Sequence, residues 1–117
     1  MAKKKNPYKN AKKTRLFNLK RTDVDFTWDS SEEYNVGNYP NIKMAESAKI
    51  KDMLACIEIG GFKLSEEQKE KTIAIFKGDI EPEDKFIVNG FVVCEDELYL
   101  DDPTTVAPAY AWSISNK

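Results

Sequence analysis

The stretch ACIEIGGFKLSEEQ, residues 55–68, most constrains what this chain can fold into, because it ends one helix and begins another. Before it, apolar residues recur at the i, i+3, i+4, i+7 spacing of a buried helical stripe. A first helix is therefore predicted over 41–59, with Asn41 as its N-cap. Gly60 and Gly61 end that helix, since glycine adopts the left-handed conformation at little steric cost.

A second helix begins directly after this glycine pair. Ser65 is a good N-cap, and Gln68, three residues later, completes the pattern of a capping box. Acidic residues fill the first turn, where the helix dipole favours negative charge. Gly78 stands where a C-terminal glycine is expected. The two helices define a helical module over residues 41–80.

The residues around this module indicate short strands. Alternation of apolar and polar residues predicts a strand over 22–28, and the asparagines, glycine and proline of 29–41 predict a loop. Further short strands are predicted over 97–100 and 109–115.

Residues 81–93 allow two interpretations. Pro82, followed by acidic residues, is typical of a short third helix. Asn89-Gly90 between two β-branched and aromatic runs is instead typical of a β-hairpin, which is the preferred prediction.

The predicted fold class is α+β, with two helices packed on a small antiparallel sheet. Residues 1–20 are assigned to a disordered or extended basic N-terminal arm, and residues 21–117 to a single small domain. Within that domain, the helical module at 41–80 precedes an acidic, β-rich part at 81–117.

Charge is strongly segregated along the 117 residues. Residues 1–21 carry nine bases and no acid, whereas residues 22–117 carry nine bases and all twenty acids. A basic arm of this kind binds nucleic acid or an acidic partner, or serves as a solubilising tail. The candidate nucleic-acid-binding residues, for RNA or DNA, are Lys3, Lys4, Lys5, Lys9, Lys12, Lys13, Arg15, Lys20 and Arg21.

Acids are dense in residues 79–102, which contain nine acids and one base, Lys85. This density is typical either of a solubilising surface or of an anionic surface that occupies a protein's nucleic-acid channel in place of phosphates. The acidic candidates for partner binding are Glu81, Glu83, Asp84, Glu95, Asp96, Glu97, Asp101 and Asp102.

The residue inventory argues against an enzyme. The chain has no histidine, which removes the commonest general base and the usual nucleophile pairs and zinc sites. Cys56 and Cys94 stand singly in apolar segments, as reduced thiols of a cytoplasmic protein do. No phosphate-binding glycine motif and no membrane-spanning run is present. A non-enzymatic protein without a cofactor or metal is expected.

Residues 45–84 resemble the small helical antitoxins of the VbhA type, which inhibit Fic-domain toxins. The resemblance rests on CIEIGGF at the end of the first helix, LSEEQ at the start of the second and FKGDIEPED at its end. In that family the motif [S/T]xxxE[G/N] supplies a glutamate that pairs with an arginine in the toxin's nucleotide site. Here the family's serine or threonine falls on Cys56 and its glutamate on Gly60.

The sequence therefore predicts a small inhibitor that binds another protein. One mechanism is antitoxin-like and uses the helix-one tip, with Glu58, Gly60, Gly61 and Phe62, against a Fic-type toxin. The other is that of a phage counter-defence protein of the anti-CRISPR type, whose acidic surface blocks the nucleic-acid path of a nuclease. The alternative class is a nucleic-acid-binding protein that uses the lysine-rich arm, with Tyr8 and Phe17 available to stack on bases.

Overall fold

The computed structural model describes residues 16–27, 29–82 and 85–116. Its six strands form one antiparallel sheet in the order β2-β1-β6-β5-β4-β3. The elements in chain order are β1 (Phe17–Asp25), β2 (Ser30–Tyr39), α1 (Ile42–Ile57), α2 (Glu66–Phe76), β3 (Ile87–Val88), β4 (Phe91–Val93), β5 (Glu97–Leu100) and β6 (Tyr110–Asn116). One 3₁₀ turn, Ile59–Gly61, lies between the two helices.

Both helix starts lie where the sequence predicts them. The Asn41 side chain accepts a hydrogen bond from the backbone N–H of Met44, which caps α1. At α2, Ser65 and Gln68 exchange the two hydrogen bonds of a capping box. These caps are local contacts between residues three apart, so the sequence alone specifies them.

The predicted small sheet is wrong, and so is the assignment of residues 16–20 to the basic arm, whereas residues 1–15 of that arm lie outside the described residues. The sheet has six strands, and β1 begins at Phe17, inside the range assigned to the arm. The ten-residue strand β2 occupies most of the predicted loop 29–41. It forms because it pairs antiparallel with β1 along nine positions, a contact between segments that local turn chemistry does not reveal.

Asn35, Gly37 and Asn38, which favour a loop in the sequence, lie at an irregularity in β2. The register between β1 and β2 shifts after Leu19, which leaves β2 with one extra residue, as in a β-bulge. At Gly37 a Cβ atom would lie 2.7 Å from the Tyr39 hydroxyl oxygen, so a larger residue would require the Tyr39 ring to shift. Asn18 of β1 donates from its side-chain amide to the side chains of Asn35 and Asn38.

The hairpin prediction for residues 81–93 is confirmed over its second half. Asn89 and Gly90 both have positive φ, +50° and +84°, which is the geometry of a two-residue type I′ turn between β3 and β4. Glu83 and Asp84 lie outside the described residues. The predicted strands over 97–100 and 109–115 correspond to β5 and β6.

The core lies on the face of the sheet that the helices cover. Helix α1 contacts β1, β2 and β6, and α2 contacts β4. The most deeply buried apolar side chains are those of Leu19, Met53, Ile57, Phe76, Val93 and Leu98. Among the described residues, no helix is long and apolar enough to cross a membrane.

Candidate partner-binding surfaces

The connection between the two helices exposes two large apolar side chains. Ile59 is 60% exposed and Phe62 is 69% exposed. Residues 58–62, called the joint below, turn through Gly60 at φ +81° and Gly61 at φ +84°. Monomeric proteins expose single apolar side chains routinely, but two on one short turn form a candidate contact surface.

The β3–β4 turn fixes the joint in place. The Asn89 side-chain amide donates to the carbonyl oxygen of Ile57 at 3.2 Å and to that of Phe62 at 2.9 Å. These two bonds tie the end of α1 and the end of the joint to the same hairpin. The exposed side chains of the joint are therefore carried by a backbone that is held at both ends.

The acid of the joint, Glu58, is engaged by the backbone of a neighbouring residue. A Glu58 carboxylate oxygen lies 3.4 Å from the backbone nitrogen of Leu64, from which it accepts a hydrogen bond. An acid at position 60, as in the antitoxin motif, would have to adopt the left-handed backbone conformation, at a cost of about 1–2 kcal/mol. The side chains that the joint offers to a partner are therefore chiefly apolar.

The structure divides the predicted acidic residues between two ends of the sheet. Glu95, Asp96 and Glu97 lie at the β4–β5 connection. Asp101 lies at the other end, where its backbone N–H donates to the Gly90 carbonyl oxygen at 3.0 Å. Because Asn89 binds the joint and Gly90 binds Asp101, the joint and Asp101 lie at the same end.

Several of these acids are engaged within the fold. Asp96 pairs with the ammonium group of Lys49, which is only 8% exposed. Glu97 accepts a hydrogen bond from the Tyr99 hydroxyl. Hydrogen bonds from the Thr104 backbone and hydroxyl lower the pKa of Asp102. The other described candidates, Glu81, Glu95 and Asp101, are exposed.

The two described candidates for nucleic-acid binding belong to β1. The Lys20 ammonium lies 3.1 Å from a Glu33 carboxylate oxygen, and Arg21 is held by two aspartates. Both charges are thus met by acids of the same fold. The other seven candidates, all between Lys3 and Arg15, lie outside the described residues.

A polar cluster around Arg21 joins β1, α1 and β6, and sequence reasoning missed it. The guanidinium donates to Asp23 at 2.6 Å and to Asp52 of α1 at 3.0 Å, and the Asp23 bond is the main cause that raises the pKa of Arg21. The indole N–H of Trp112 donates to the same Asp52 carboxylate at 2.8 Å. The guanidinium carbon also lies 5.3 Å from the Tyr34 ring centroid. The only signal in the sequence was the spacing of Arg21 and Asp23, which are two residues apart and therefore share one face of a strand.

A second acidic segment also went unrecognised. Residues 22–33 contain five acids and no base, and within them residues 22–25 of β1 pair with residues 30–33 of β2. Asp23 and Glu33 pair with Arg21 and Lys20. Asp25 and Glu32 make no ion pair with another described residue. The negative net charge of residues 22–33 is visible in the sequence. The loop predicted over 29–41 did not place these acids on two paired strands.

The Cys56 side chain is buried beside Arg21. Burial raises the pKa of its thiol to about 11, and the nearby guanidinium only partly opposes this effect. Since the thiolate is the reactive form, the Cys56 side chain is suited to packing and poorly suited to nucleophilic chemistry.

Alkylation by iodoacetamide at pH 8 is expected to modify Cys56 slowly in the folded protein. With a pKa near 11, the thiolate fraction is about 100-fold below that of a thiol at 9. Mass spectrometry of a Cys94→Ser variant would give the rate. Denaturant is expected to raise that rate by about 100-fold or more, and equal rates in the folded and unfolded protein would contradict the burial of this thiol.

Comparisons of the chain with protein-family models, with curated proteins and with solved structures find no match.

Proposed function

We propose that this protein is a small non-enzymatic inhibitor that binds another protein through the joint. The observation that carries the proposal is the exposure of Ile59 and Phe62 on a turn that Asn89 holds at both ends. A turn that is already ordered loses little conformational entropy on binding, so more of the contact energy remains as affinity.

The energy available from these two side chains is substantial. Complete burial of an isoleucine or phenylalanine side chain contributes about 1.5–3 kcal/mol. Ile59 and Phe62 have most of that burial still to gain. Asp101, at the same end of the sheet, adds an exposed charge that can orient a basic partner without contributing much affinity.

Two partner classes fit this surface. A Fic-type toxin suits the arrangement of helix, glycine turn and capped helix, although contact would then be apolar, since Gly60 replaces the inhibitory acid. A CRISPR-type nuclease suits Asp101, the exposed acid at the same end of the sheet as the joint, with the joint as its apolar contact and the acid facing a channel meant for phosphates. Both mechanisms inhibit by occupying a site, and neither requires chemistry from this chain.

Affinity purification of a tagged full-length chain, followed by mass spectrometry, tests the proposal. The variants are Ile59→Ser/Phe62→Ser in the joint and Met44→Ser, a 50% exposed residue of α1, as a matched control. The native chain and the control are expected to retain a partner, and the joint variant to retain at least tenfold less.

The identity of the recovered protein separates the two mechanisms. A Fic protein supports the antitoxin-like mechanism, and a nuclease complex supports the counter-defence mechanism. Purified partner and protein would then be assayed for loss of adenylyl transfer or of DNA cleavage. Equal recovery with the joint variant, or a native chain that never retains a partner, would contradict the proposal.

A further inference from the structure

A concave surface lies on the part of the sheet that neither helix covers. Its cavity of about 210 Å³, called the aromatic groove below, is formed by β1, β4, β5, β6 and their connections. The apolar and aromatic lining residues are Val24, Phe26, Phe91, Leu100, Ala109 and Tyr110. Helices α1 and α2 contribute no lining residue, so this part of the sheet face has no covering element among the described residues.

The lining of the groove is suited to contact with an apolar group. Phe91, which also belongs to the core, and Tyr110 form a tilted aromatic pair with ring centroids 5.9 Å apart. Phe26, just beyond the end of β1, is 38% exposed at the side. The volume is below the roughly 300–1,000 Å³ of small-molecule sites but accommodates one large apolar side chain.

Acidic groups lie beside the groove on the side of the β1–β2 hairpin. A neighbouring cavity of about 230 Å³ shares Asp23 and Val24 with the groove and is also lined by Asp25, Glu32 and Tyr34. Neither cavity is lined by a described lysine or arginine. The nearest described base is Arg21, whose guanidinium carbon lies 6.0 Å from the Tyr110 ring centroid and 5.3 Å from that of Tyr34, and its charge is paired with Asp23 and Asp52.

We propose that the aromatic groove binds an extended basic segment of a partner protein. A phenylalanine- or leucine-sized side chain of that segment fills the groove, and adjacent lysines or arginines face Asp25 and Glu32. Charge complementarity selects this occupant, because a second copy of the sheet face would place like charges together. The site is independent of the joint, since the two share no residue.

Fluorescence anisotropy with the intact chain tests this proposal. The probe is a fluorescein-labelled nine-residue peptide with a central phenylalanine, four lysines and glycines elsewhere. Replacement of the phenylalanine by alanine in the peptide is expected to weaken binding at least fivefold. Phe26→Ser in the protein is expected to weaken it by a similar factor.

Charge and location are tested with three further variants. Asp25→Asn/Glu32→Gln is expected to weaken binding at least threefold and to reduce its salt dependence. Ile59→Ser/Phe62→Ser is expected to bind the probe like the native chain, which separates this site from the proposed inhibitor surface. Glu70→Gln, on exposed α2, is the matched charge control and is also expected to have no effect.

Three outcomes would overturn the proposal. Equal affinity for the phenylalanine and alanine peptides would show that charge alone attracts the probe. Unchanged binding by the Phe26→Ser chain would place the contact elsewhere. A peptide with the sequence of residues 1–15 that binds tenfold tighter than the probe would make this chain's own basic segment the occupant, and not a partner.

Discussion

Phe76→Ala is expected to lower the free energy of unfolding by about 3–5 kcal/mol. Phe76 is 1% exposed and ends α2, where it packs in the common core of the helices and sheet. The substitution removes the apolar area of the ring and leaves a cavity that the surrounding close-packed residues fill only in part. Urea unfolding followed by circular dichroism would measure the loss.

Phe62→Ala is the matched control for this prediction, since it removes the same ring from a site that is 69% exposed. Its expected effect is below about 0.5 kcal/mol, as for most surface substitutions. Equal costs for the two substitutions would contradict the burial of Phe76 in the core. Phe62→Ala also supplies a folded variant for the partner-binding experiments.

Asp52→Ala is expected to destabilise the protein by about 2–3 kcal/mol. The Asp52 carboxylate, 19% exposed, accepts hydrogen bonds from the Arg21 guanidinium and the Trp112 indole. Alanine would leave the indole N–H without its acceptor and the guanidinium with Asp23 as its remaining acid in the cluster. An unsatisfied buried donor costs more than the net value of the bond it has lost.

Asp52→Asn separates the charge of this residue from its hydrogen bonds. The amide oxygen still accepts from the Trp112 indole, so the expected cost is smaller than that of Asp52→Ala. Glu46→Ala, an exposed acid on the same helix, is the surface control and is expected to change stability by less than about 0.5 kcal/mol. Chemical denaturation of all three variants would show whether α1 is tied to the sheet by this carboxylate.

Sequence reasoning succeeded where the structure depends on residues close together in the chain. The Asn41 cap, the Ser65–Gln68 capping box and the Asn89-Gly90 turn each require contacts over two to four residues. In each case one residue type is chemically suited to one backbone position. The helix starts and the hairpin were therefore readable without any tertiary information.

It failed where the structure depends on pairing between distant segments. Strand β2 has asparagines, a glycine and exposed acids, all of which favour a loop when considered alone. Its pairing with β1 stabilises it as a strand, and a bulge near Gly37 accommodates one extra residue. The same strand contains Lys20, which had been assigned to the basic arm, and Arg21, and both pair with acids of the fold.

The candidate surfaces divide in the same way. The sequence identified the joint, because two adjacent glycines before a capped helix mark an exposed turn wherever they lie. It gave no indication that Asn89 fixes that turn, or that Asp101 lies at the same end of the sheet. The aromatic groove could not be predicted, since its lining comes from four strands and their connections, between positions 23 and 110.

By itself, the sequence determined the two helices, their caps, the glycine turn between them, the β3–β4 hairpin and the segregation of charge. Only the tertiary structure decided the six-stranded order, the edge strand β2, the Arg21–Asp52–Trp112 cluster and which acids remain free of partners within the described chain. The reason is physical: caps and turns depend on neighbours along the chain, whereas strand pairing and ion pairing depend on groups that folding brings together.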